Sequence, residues 1–358
     1  MLEKSGPPKP ILRIIIYFYF MKYFVTGGTG FIGTNLVEIL VNDGHEVVVL
    51  TRDLTKAEHL PEPVEIIEGD ITDKQSMRDA MDGVDGVFHL AAWFQIGPGP
   101  WNAEKAERIN VDGTRNVLEL MDELDVPKGL YVSTVGVYGN TGGEYVTESY
   151  RSPNNFSSVY QRTKWQAHYE VAEPMIEDGL PLVIASLGAI FGPGDKDYGG
   201  TPRTGFTGYL KQELPMIPND FVLPFDYVED TAANIKRAMD EGEQGEEYII
   251  ASEPRNFVDV LDLAERLTGI PAPRAVPGKI FQLMSYGVTG LESLTRPPEG
   301  FESELLGFFA TGGVLVDNSK AKRELGIDHR PFEESLRLYL EWEIEQQGLD
   351  QKITGEIA

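Results

Sequence analysis

A glycine-rich turn between a buried strand and an amphipathic helix constrains this chain more than any other feature. Residues 23–25 are apolar and aromatic, as expected of a buried β-strand, and residues 26–33 then have the spacing GxxGxxG. One apolar stripe predicts a helix that ends at Asp43-Gly44; it consists of Ile32, Leu36, Ile39 and Leu40. Because a second strand follows at residues 46–50, the pattern predicts a βαβ unit.

Each glycine of the turn has a physical role in such a unit. Gly27 permits the tight turn, Gly30 lets the backbone approach a pyrophosphate, and Gly33 lets helix and sheet pack closely. The helix N-terminus offers free N–H groups and a positive dipole end to phosphates. The cofactor-binding residues predicted here are Gly27, Thr29, Gly30, Phe31, Ile32 and Gly33.

Further motifs follow in order. Predicted strands end before Gly69-Asp70-Ile71, Ala91-Ala92, Ser133-Thr134 and the segment that begins at Gly188, and a YxxxK spans residues 160–164. From about Met21 to about Trp342 this ordered set resembles the extended short-chain dehydrogenase/reductase family, the NAD-dependent epimerase/dehydratase superfamily. Within it, the chain is most similar to the branch of dihydroflavonol reductase and 3β-hydroxysteroid dehydrogenase.

The resemblance implies an α/β fold: a Rossmann doubly wound parallel sheet with helices on both faces and a smaller, discontinuous C-terminal substrate domain. We expect an NAD(P)-binding domain from residues 22–185 plus 225–250, and a substrate-binding domain from 186–224 plus 251–345. Residues 346–358 are expected to form a polar tail.

Residues 1–20 have several interpretations. Ile11 to Phe20 is apolar except for Arg13, but this run is about half of the ~20 residues that a membrane-spanning helix needs. Residues 1–20 are expected either to result from an upstream start codon or to form a disordered appendage. A strand extension or a contact with a membrane surface is the alternative.

The predicted catalytic residues are Thr134, Tyr160 and Lys164, with Ser133 as the neighbouring alternative to Thr134. Tyr160 and Lys164 share a helix face, and a nearby ammonium favours the phenolate, which lowers the pKa of a tyrosine. Such a tyrosine can move a proton while hydride moves to or from nicotinamide. By resemblance, Lys164 also holds the nicotinamide ribose, and the Thr134 hydroxyl contacts the reacting oxygen.

The end of the second predicted strand bears on the choice of cofactor. An acid there would bind the ribose 2′-hydroxyl of NAD, but this chain has Thr51 followed by Arg52, with Lys56 nearby. A guanidinium can bind a 2′-phosphate through two hydrogen bonds, so we expect NADP rather than NAD. In the alternative, Arg52 stacks on adenine or faces solvent. By resemblance, further cofactor contacts come from Asp70, Ile71, Leu90, Ala91, Ala92, Asn110, Leu187 and Ile190, together with Tyr160 and Lys164. The resemblance also implies that Asn110 supports the active site through backbone contacts, a structural role.

The family contains several reactions. Dehydratases carry Asp-Glu after the catalytic Thr, where this chain has Val135 and Gly136, which argues against dehydration. We therefore expect NADPH-dependent reduction of a ketone or aldehyde, or the reverse oxidation. The alternatives are a nucleotide-sugar epimerase with tightly bound NAD, and a non-catalytic NADP-binding sensor or assembly factor. Trp93, Phe94, Tyr138, Phe191, Phe206 and Tyr209 are candidates to line an apolar pocket, although only two or three are expected to touch substrate.

Charge and composition limit the partners. The chain has 57 acidic and 31 basic residues, a net charge of -26. Such a surface repels nucleic acid phosphates and anionic lipid, so neither is expected as a partner, and stable membrane insertion is not expected either. An acidic surface of this density favours a salt-rich, halophilic cytoplasm, and high solubility alone is the alternative explanation. The five His residues are scattered and there is no Cys, so no metal site is expected. Resemblance implies a cytoplasmic homodimer whose subunit contact is formed by the helices after Asn110 and around Tyr160. The substrate is expected to be a small molecule.

Overall fold

The computed structural model describes residues 20–95, 102–153, 156–195, 201–292 and 301–350. The strands in this part of the chain are β1 (Lys22–Thr26), β2 (Glu46–Thr51), β3 (Glu65–Glu68), β4 (Gly86–His89), β5 (Gly129–Thr134), β6 (Leu182–Leu187), β7 (Ala189–Phe191), β8 (Met216–Pro218), β9 (Val222–Tyr227), β10 (Glu247–Ile250), β11 (Pro254–Asn256) and β12 (Arg274–Val276). The predicted appendage, apart from Phe20, and residues 351–358 of the predicted tail lie outside the described residues.

The helices are α1 (Phe31–Asn42), α2 (Lys74–Met81), α3 (Ala103–Glu107), α4 (Gly113–Glu123), α5 (Val159–Trp165), α6 (Glu173–Glu177), α7 (Thr201–Leu210), α8 (Val228–Glu241), α9 (Phe257–Thr268), α10 (Gly278–Glu292), α11 (Ser303–Phe309), α12 (Ser319–Leu325) and α13 (Phe332–Gln347). Short π-helical segments, Arg108–Asp112 and Gln166–Ala172, precede α4 and follow α5. Short 3₁₀ turns follow β2 and β5.

Seven parallel strands form the central sheet in the order β3-β2-β1-β4-β5-β6-β10. Strands β1, β2 and β6 are buried over almost their whole length, as expected of apolar strands that helices cover on both faces. The strand order reverses between β1 and β4, where Thr26 is paired with His89, and this creates a crevice at the carboxyl ends of the strands. The predicted doubly wound α/β fold is confirmed.

Two small sheets lie beyond the central one. The first pairs β7, β9 and β11, and the second pairs β8 with β12. Both use segments that follow β6 or β10, and they pack around buried aromatic side chains such as Phe206 and Tyr339. The exact boundaries of the two predicted domains stay a prediction, and α13 continues two residues into the predicted polar tail, to Gln347.

None of the described helices is both long enough and apolar enough to cross a bilayer. Likewise, no cluster of three or more His, Asp or Glu side chains suited to a metal ion occurs within the described ranges.

Candidate active site

A cavity of about 690 Å³ opens at the crevice between β1 and β4. Its floor is the glycine turn, where Gly27 has a φ of 76° and a Cβ on it would lie 2.7 Å from the backbone nitrogen of Ala91. A Cβ on Gly33 would lie 2.0 Å from the carbonyl oxygen of Gly27. Only glycine therefore allows the turn, β4 and α1 to approach one another this closely.

The N-terminus of α1 faces the same cavity. Gly30 caps the helix without any side-chain hydrogen bond, and the first turn carries no acidic residue. The backbone N–H groups there form a site for an anion. No carboxylate of the first turn would repel that anion. Together with the cavity volume, this cradle fits the pyrophosphate and the two nucleosides of a dinucleotide.

The end of β2 forms the rim of the cavity that would receive the adenosine ribose. Thr51 is buried, while Arg52 and Lys56 line the cavity from exposed positions. Asp53 is the only carboxylate of this turn, and its Oδ1 accepts hydrogen bonds from Thr55 N (3.1 Å) and Thr55 Oγ1 (2.7 Å). These hydrogen bonds lower the pKa of Asp53 and hold its carboxylate in the cap of the 3₁₀ turn.

Nearly all predicted site residues line this one cavity. They are Gly27, Thr29, Gly30, Phe31, Ile32, Gly33, Arg52, Lys56, Asp70, Ile71, Leu90, Ala91, Ala92, Ser133, Thr134, Tyr160, Lys164, Leu187 and Ile190.

Asn110 does not line the cavity. Its amide instead accepts from Trp93 N (2.6 Å) and donates to Trp93 O and Thr163 Oγ1, both at 3.0 Å. It joins α5 to the segment after β4, a positioning role within the π-helical turn at residues 108–112.

Thr134 and Tyr160 form the centre of the site. The Thr134 hydroxyl accepts a hydrogen bond from Gly136 N at 3.1 Å and also hydrogen-bonds to Tyr160. Because Gly136 fixes the orientation of the Thr134 side chain, this threonine can donate its proton towards the reacting oxygen. Phe94 packs edge-on against the ring of Tyr160, with 4.7 Å between ring centroids.

Lys164 lines the cavity together with Tyr160, and its ammonium is hydrogen-bonded to other groups. Its Nζ donates to Tyr131 Oη (2.8 Å) and to Val132 O (2.7 Å), and burial lowers the pKa of Lys164 to about 7. For Tyr160, burial raises the pKa and the Thr134 hydrogen bond opposes this. Contrary to the expectation, the pKa of Tyr160 is set here by burial and by Thr134 rather than by the Lys164 ammonium.

Ser133 is directed to a second buried network. Its Oγ lies 2.8 Å from His168 Nδ1, and His168 Nε2 lies 3.5 Å from Glu247 Oε2. The other oxygen of Glu247 accepts from Tyr138 Oη (2.7 Å) and Ser186 Oγ (2.6 Å). At the end of β5, Thr134 thus contacts Tyr160, while Ser133 braces β5 against the π-helical segment that carries His168.

The far end of the cavity is apolar. Leu223 from β9, Phe308 from α11 and Val314 line it together with Phe94 and Pro202, and the sequence analysis did not single out the first three. Among the six aromatic candidates for this pocket, Phe94 lines it. Four of the others are core residues at 0–1% exposure: Tyr138, Phe191, Phe206 and Tyr209. Trp93 packs at the edge of the core beneath the sheet.

One carboxyl group reaches this end of the cavity. Asp195 is 2% exposed, and its Oδ1 has no hydrogen-bond partner among the described residues. Burial raises the pKa of Asp195 to about 8, with the charge of Arg203 opposing and that of Glu343 adding to the shift. Near neutral pH a large share of Asp195 is therefore uncharged.

Comparison with known proteins identifies the family of this chain. The chain matches the model of the "NAD dependent epimerase/dehydratase family" over residues 23–251. It is 30% identical over 335 residues to a putative dihydroflavonol 4-reductase of Synechocystis, covering 89% of this chain and 94% of the relative. It is also 30% identical over 314 residues to sterol demethylase protein B of Methylococcus capsulatus, covering 86% and 93%.

A solved structure shows the same fold. UDP-glucose 4-epimerase of Thermus thermophilus in complex with NAD superposes with a TM-score of 0.70 at 24% identity, covering 90% of this chain and 99% of that one. The fold of this chain is thus shared with a UDP-glucose 4-epimerase. The chain belongs to the NAD-dependent epimerase/dehydratase family of enzymes, whose members are NAD(P)-dependent oxidoreductases, epimerases and dehydratases.

Proposed function

We propose that this protein is an NADPH-dependent reductase of an uncharged ketone or aldehyde, and catalyses the reverse alcohol oxidation with NADP. The observation that carries the proposal is the distribution of cations around the cavity. Among the described residues that line it, the cations are Arg52, Lys56 and Lys164. Arg52 and Lys56 follow β2, whereas the reacting residues follow or face β5.

These two regions are far apart in the sheet. Strands β1 and β4 lie between β2 and β5, and at about 4.8 Å per strand this amounts to ~14 Å. Lys164 is buried beneath Tyr160 and already binds Tyr131 and Val132. The described lining of the substrate end therefore offers no cation for the diphosphate of a nucleotide sugar, while Leu223, Phe308 and Val314 offer an apolar wall.

The described residues support the following roles in reduction. Bound nicotinamide supplies the hydride that reaches the carbonyl carbon. Thr134 donates a hydrogen bond to the carbonyl oxygen, and Tyr160 transfers its phenolic proton to that oxygen as negative charge develops on it. The phenolate that remains is stabilised by its hydrogen bond with Thr134, Lys164 would hold the nicotinamide ribose, and in oxidation each transfer runs in reverse.

The preference for NADPH rests on the end of β2. Arg52 and Lys56 line the cavity where the adenosine ribose would lie, and the carboxylate of Asp53 is engaged by Thr55. A 2′-phosphate would meet two cations there, and a 2′-hydroxyl would find no free acceptor carboxylate from this turn.

Nucleotide-sugar epimerisation with tightly held NAD is the second candidate. It is favoured by the fold of the NAD-bound UDP-glucose 4-epimerase, which this chain shares. Dehydration is disfavoured because Val135 and Gly136, which line the cavity after Thr134, supply neither an acid nor a base. A non-catalytic NADP sensor is disfavoured because Thr134, Tyr160 and Lys164 line one cavity.

The test is nucleotide analysis of the purified protein followed by titration with NADPH and NADH, and then by assays with apolar ketones and aldehydes. The proposal predicts no retained NAD, tighter binding of NADPH, and carbonyl reduction. Tyr160→Phe should lower kcat by about 10²–10⁴-fold and leave NADPH binding intact, since only proton transfer is removed. NAD that co-purifies, together with epimerisation of a nucleotide sugar, would overturn the proposal.

A further inference from the structure

We propose that Phe94 is a positioning residue that holds the ring of Tyr160 against Thr134. The inference rests on the proposed function, in which Tyr160 gives its phenolic proton to a substrate oxygen. The rings of Phe94 and Tyr160 are nearly perpendicular, with 83° between their planes and 4.7 Å between their centroids. Aromatic pairs favour this arrangement, because the positive edge of one ring meets the negative face of the other.

The ring of Tyr160 lies outside the packed core. Tyr160 is half-buried in the first turn of α5 and lines the cavity, and it belongs to none of the hydrophobic clusters formed by the described residues. Its hydroxyl is hydrogen-bonded to Thr134. One tether at the hydroxyl does not by itself select a rotamer beside an open cavity. The contact with Phe94 supplies a second point that restrains the ring.

Phe94 is placed by the backbone of the residue before it. Asn110 is 1% exposed, accepts from Trp93 N at 2.6 Å and donates to Trp93 O at 3.0 Å. The same amide donates to Thr163 Oγ1 at 3.0 Å, and Thr163 Oγ1 donates to Tyr160 O at 3.1 Å. One buried amide therefore sets the position of the segment that carries Phe94 relative to the turn of α5 that carries Tyr160.

The exposure of Phe94 separates this role from a role in the core. Phe94 is 41% exposed, so its ring adds little to stability through deep burial. Loss of its ring should therefore act on the orientation of Tyr160 rather than on folding. Proton transfer needs the phenolic oxygen within hydrogen-bond reach of the substrate oxygen, so a misplaced ring slows the chemical step and not substrate binding.

The test compares Phe94→Leu and Phe94→Tyr with the wild type in single-turnover reduction of an apolar ketone by NADPH. We expect Phe94→Leu to lower the single-turnover rate by about tenfold or more, because a misplacement of ~1 Å can cost about 10²-fold. The solvent isotope effect on that rate should rise, while KM, NADPH affinity and thermal unfolding stay nearly unchanged. Phe94→Tyr keeps the ring and should restore most of the rate.

Phe301→Leu is the matched control. Phe301 is also a partly exposed phenylalanine, at 39%, and it is not among the residues that line the cavity, so this variant should behave like the wild type. Crystal structures give a readout that does not depend on activity. Tyr160 should have one rotamer bonded to Thr134 in the wild type, and a second rotamer or a broken hydrogen bond in Phe94→Leu.

Three results would overturn the proposal. A higher KM at an unchanged rate would make Phe94 a substrate contact, and weaker NADPH binding at an unchanged rate would make it a cofactor contact. A Tyr160 ring that keeps its wild-type rotamer in Phe94→Leu would show that Phe94 does not hold it. If the wild type reduces no carbonyl compound, the proposed reductase fails, and the rotamer of Tyr160 in the two crystal structures still decides the role of Phe94.

Discussion

Lys164 Nζ lies 2.8 Å from Tyr131 Oη, so a second tyrosine holds the lysine of the YxxxK pair. Tyr131 is itself 1% exposed and hydrogen-bonds to Thr114. Thr114 Oγ1 lies 3.0 Å from His89 Nε2, and His89 Nδ1 lies 2.7 Å from Thr26 Oγ1. A buried row of polar side chains therefore runs beneath the site from the end of β5 to the end of β1.

Tyr131→Phe removes one acceptor of the Lys164 ammonium and leaves Val132 O in place. The pKa of Lys164 is already lowered to about 7, and losing an acceptor lowers it further, so the ammonium deprotonates at a lower pH. We expect kcat/KM for carbonyl reduction to fall by about tenfold or more, and its decline with rising pH to begin earlier. The pH profile of kcat/KM measures this. If Tyr131 only filled space, the profile would keep its shape in the variant.

Arg52→Ala should weaken NADPH binding by about 10–100-fold, because a charge-assisted contact to the 2′-phosphate is lost, and leave NADH binding nearly unchanged. Fluorescence titration with each nucleotide measures both constants. Arg274→Ala, an exposed arginine on β12, is the control and should change neither. Equal weakening for both nucleotides would indicate that Arg52 stacks on adenine instead.

Gly33→Ala should abolish nucleotide binding and destabilise the fold, since the new Cβ would lie 2.0 Å from the Gly27 carbonyl oxygen, a backbone atom that cannot move aside cheaply. Gly290→Ala in α10 is the matched control, because a Cβ there meets nothing within 4 Å. It should leave stability unchanged or raise it by up to about 1 kcal/mol, as alanine favours a helix. Urea unfolding of both variants, with and without NADPH, compares them; a native-like Gly33→Ala protein would contradict the close approach.

Acid should destabilise this protein partly through His89. Burial lowers the pKa of His89 from 6.5 to about 3, with the charge of Lys164 adding to the effect, so the native state stays neutral where the unfolded chain takes up a proton. Its contribution to stability is therefore complete above about pH 6.5 and is lost as the pH falls towards 3. In the His89→Gln variant, the free energy of unfolding should depend less steeply on pH within that window. Urea unfolding across the window measures this, and an equally steep dependence in the variant would point to other groups.

Low ionic strength should destabilise the protein as well. A net charge of -26 repels itself in the compact state, and salt screens that repulsion. The unfolding temperature is expected to rise steadily with added KCl, and more than it does with an equal osmotic strength of sucrose. A flat response to KCl would remove the reason to regard the acidic surface as an adaptation to salt.

The cofactor half of the site could be predicted because short contiguous stretches build it. The glycine turn, the end of β2 and the YxxxK are local patterns, and the rules for parallel sheets bring them to one edge. The choice between Ser133 and Thr134 needed the structure, because only the structure shows that Ser133 is bound by His168, 35 residues away along the chain. The role of Tyr131 was missed for the same reason, since its partner Lys164 lies 33 residues away.

The substrate half could not be read from local patterns. Leu223, Phe308 and Val314 come from separate elements and meet only when β9 and α11 pack together. Some aromatic residues were candidates for the substrate pocket because they lie near motif ends. Of these, residues such as Phe191 and Phe206 are instead buried in the core that supports these elements. A large apolar side chain near a motif has two competing uses, and distant packing partners decide between them.

The division between the two walls of the cavity has a consequence for how such a protein can change. The wall that holds the nucleotide is made by the parallel sheet, whose strands constrain one another through shared hydrogen bonds. The opposite wall is contributed by β9, α11 and the segment around Val314, outside that sheet. Substitutions in that outer wall can change which substrates bind without altering the residues that position the nucleotide. Among related proteins, substrate preference should therefore diverge faster than the nucleotide site.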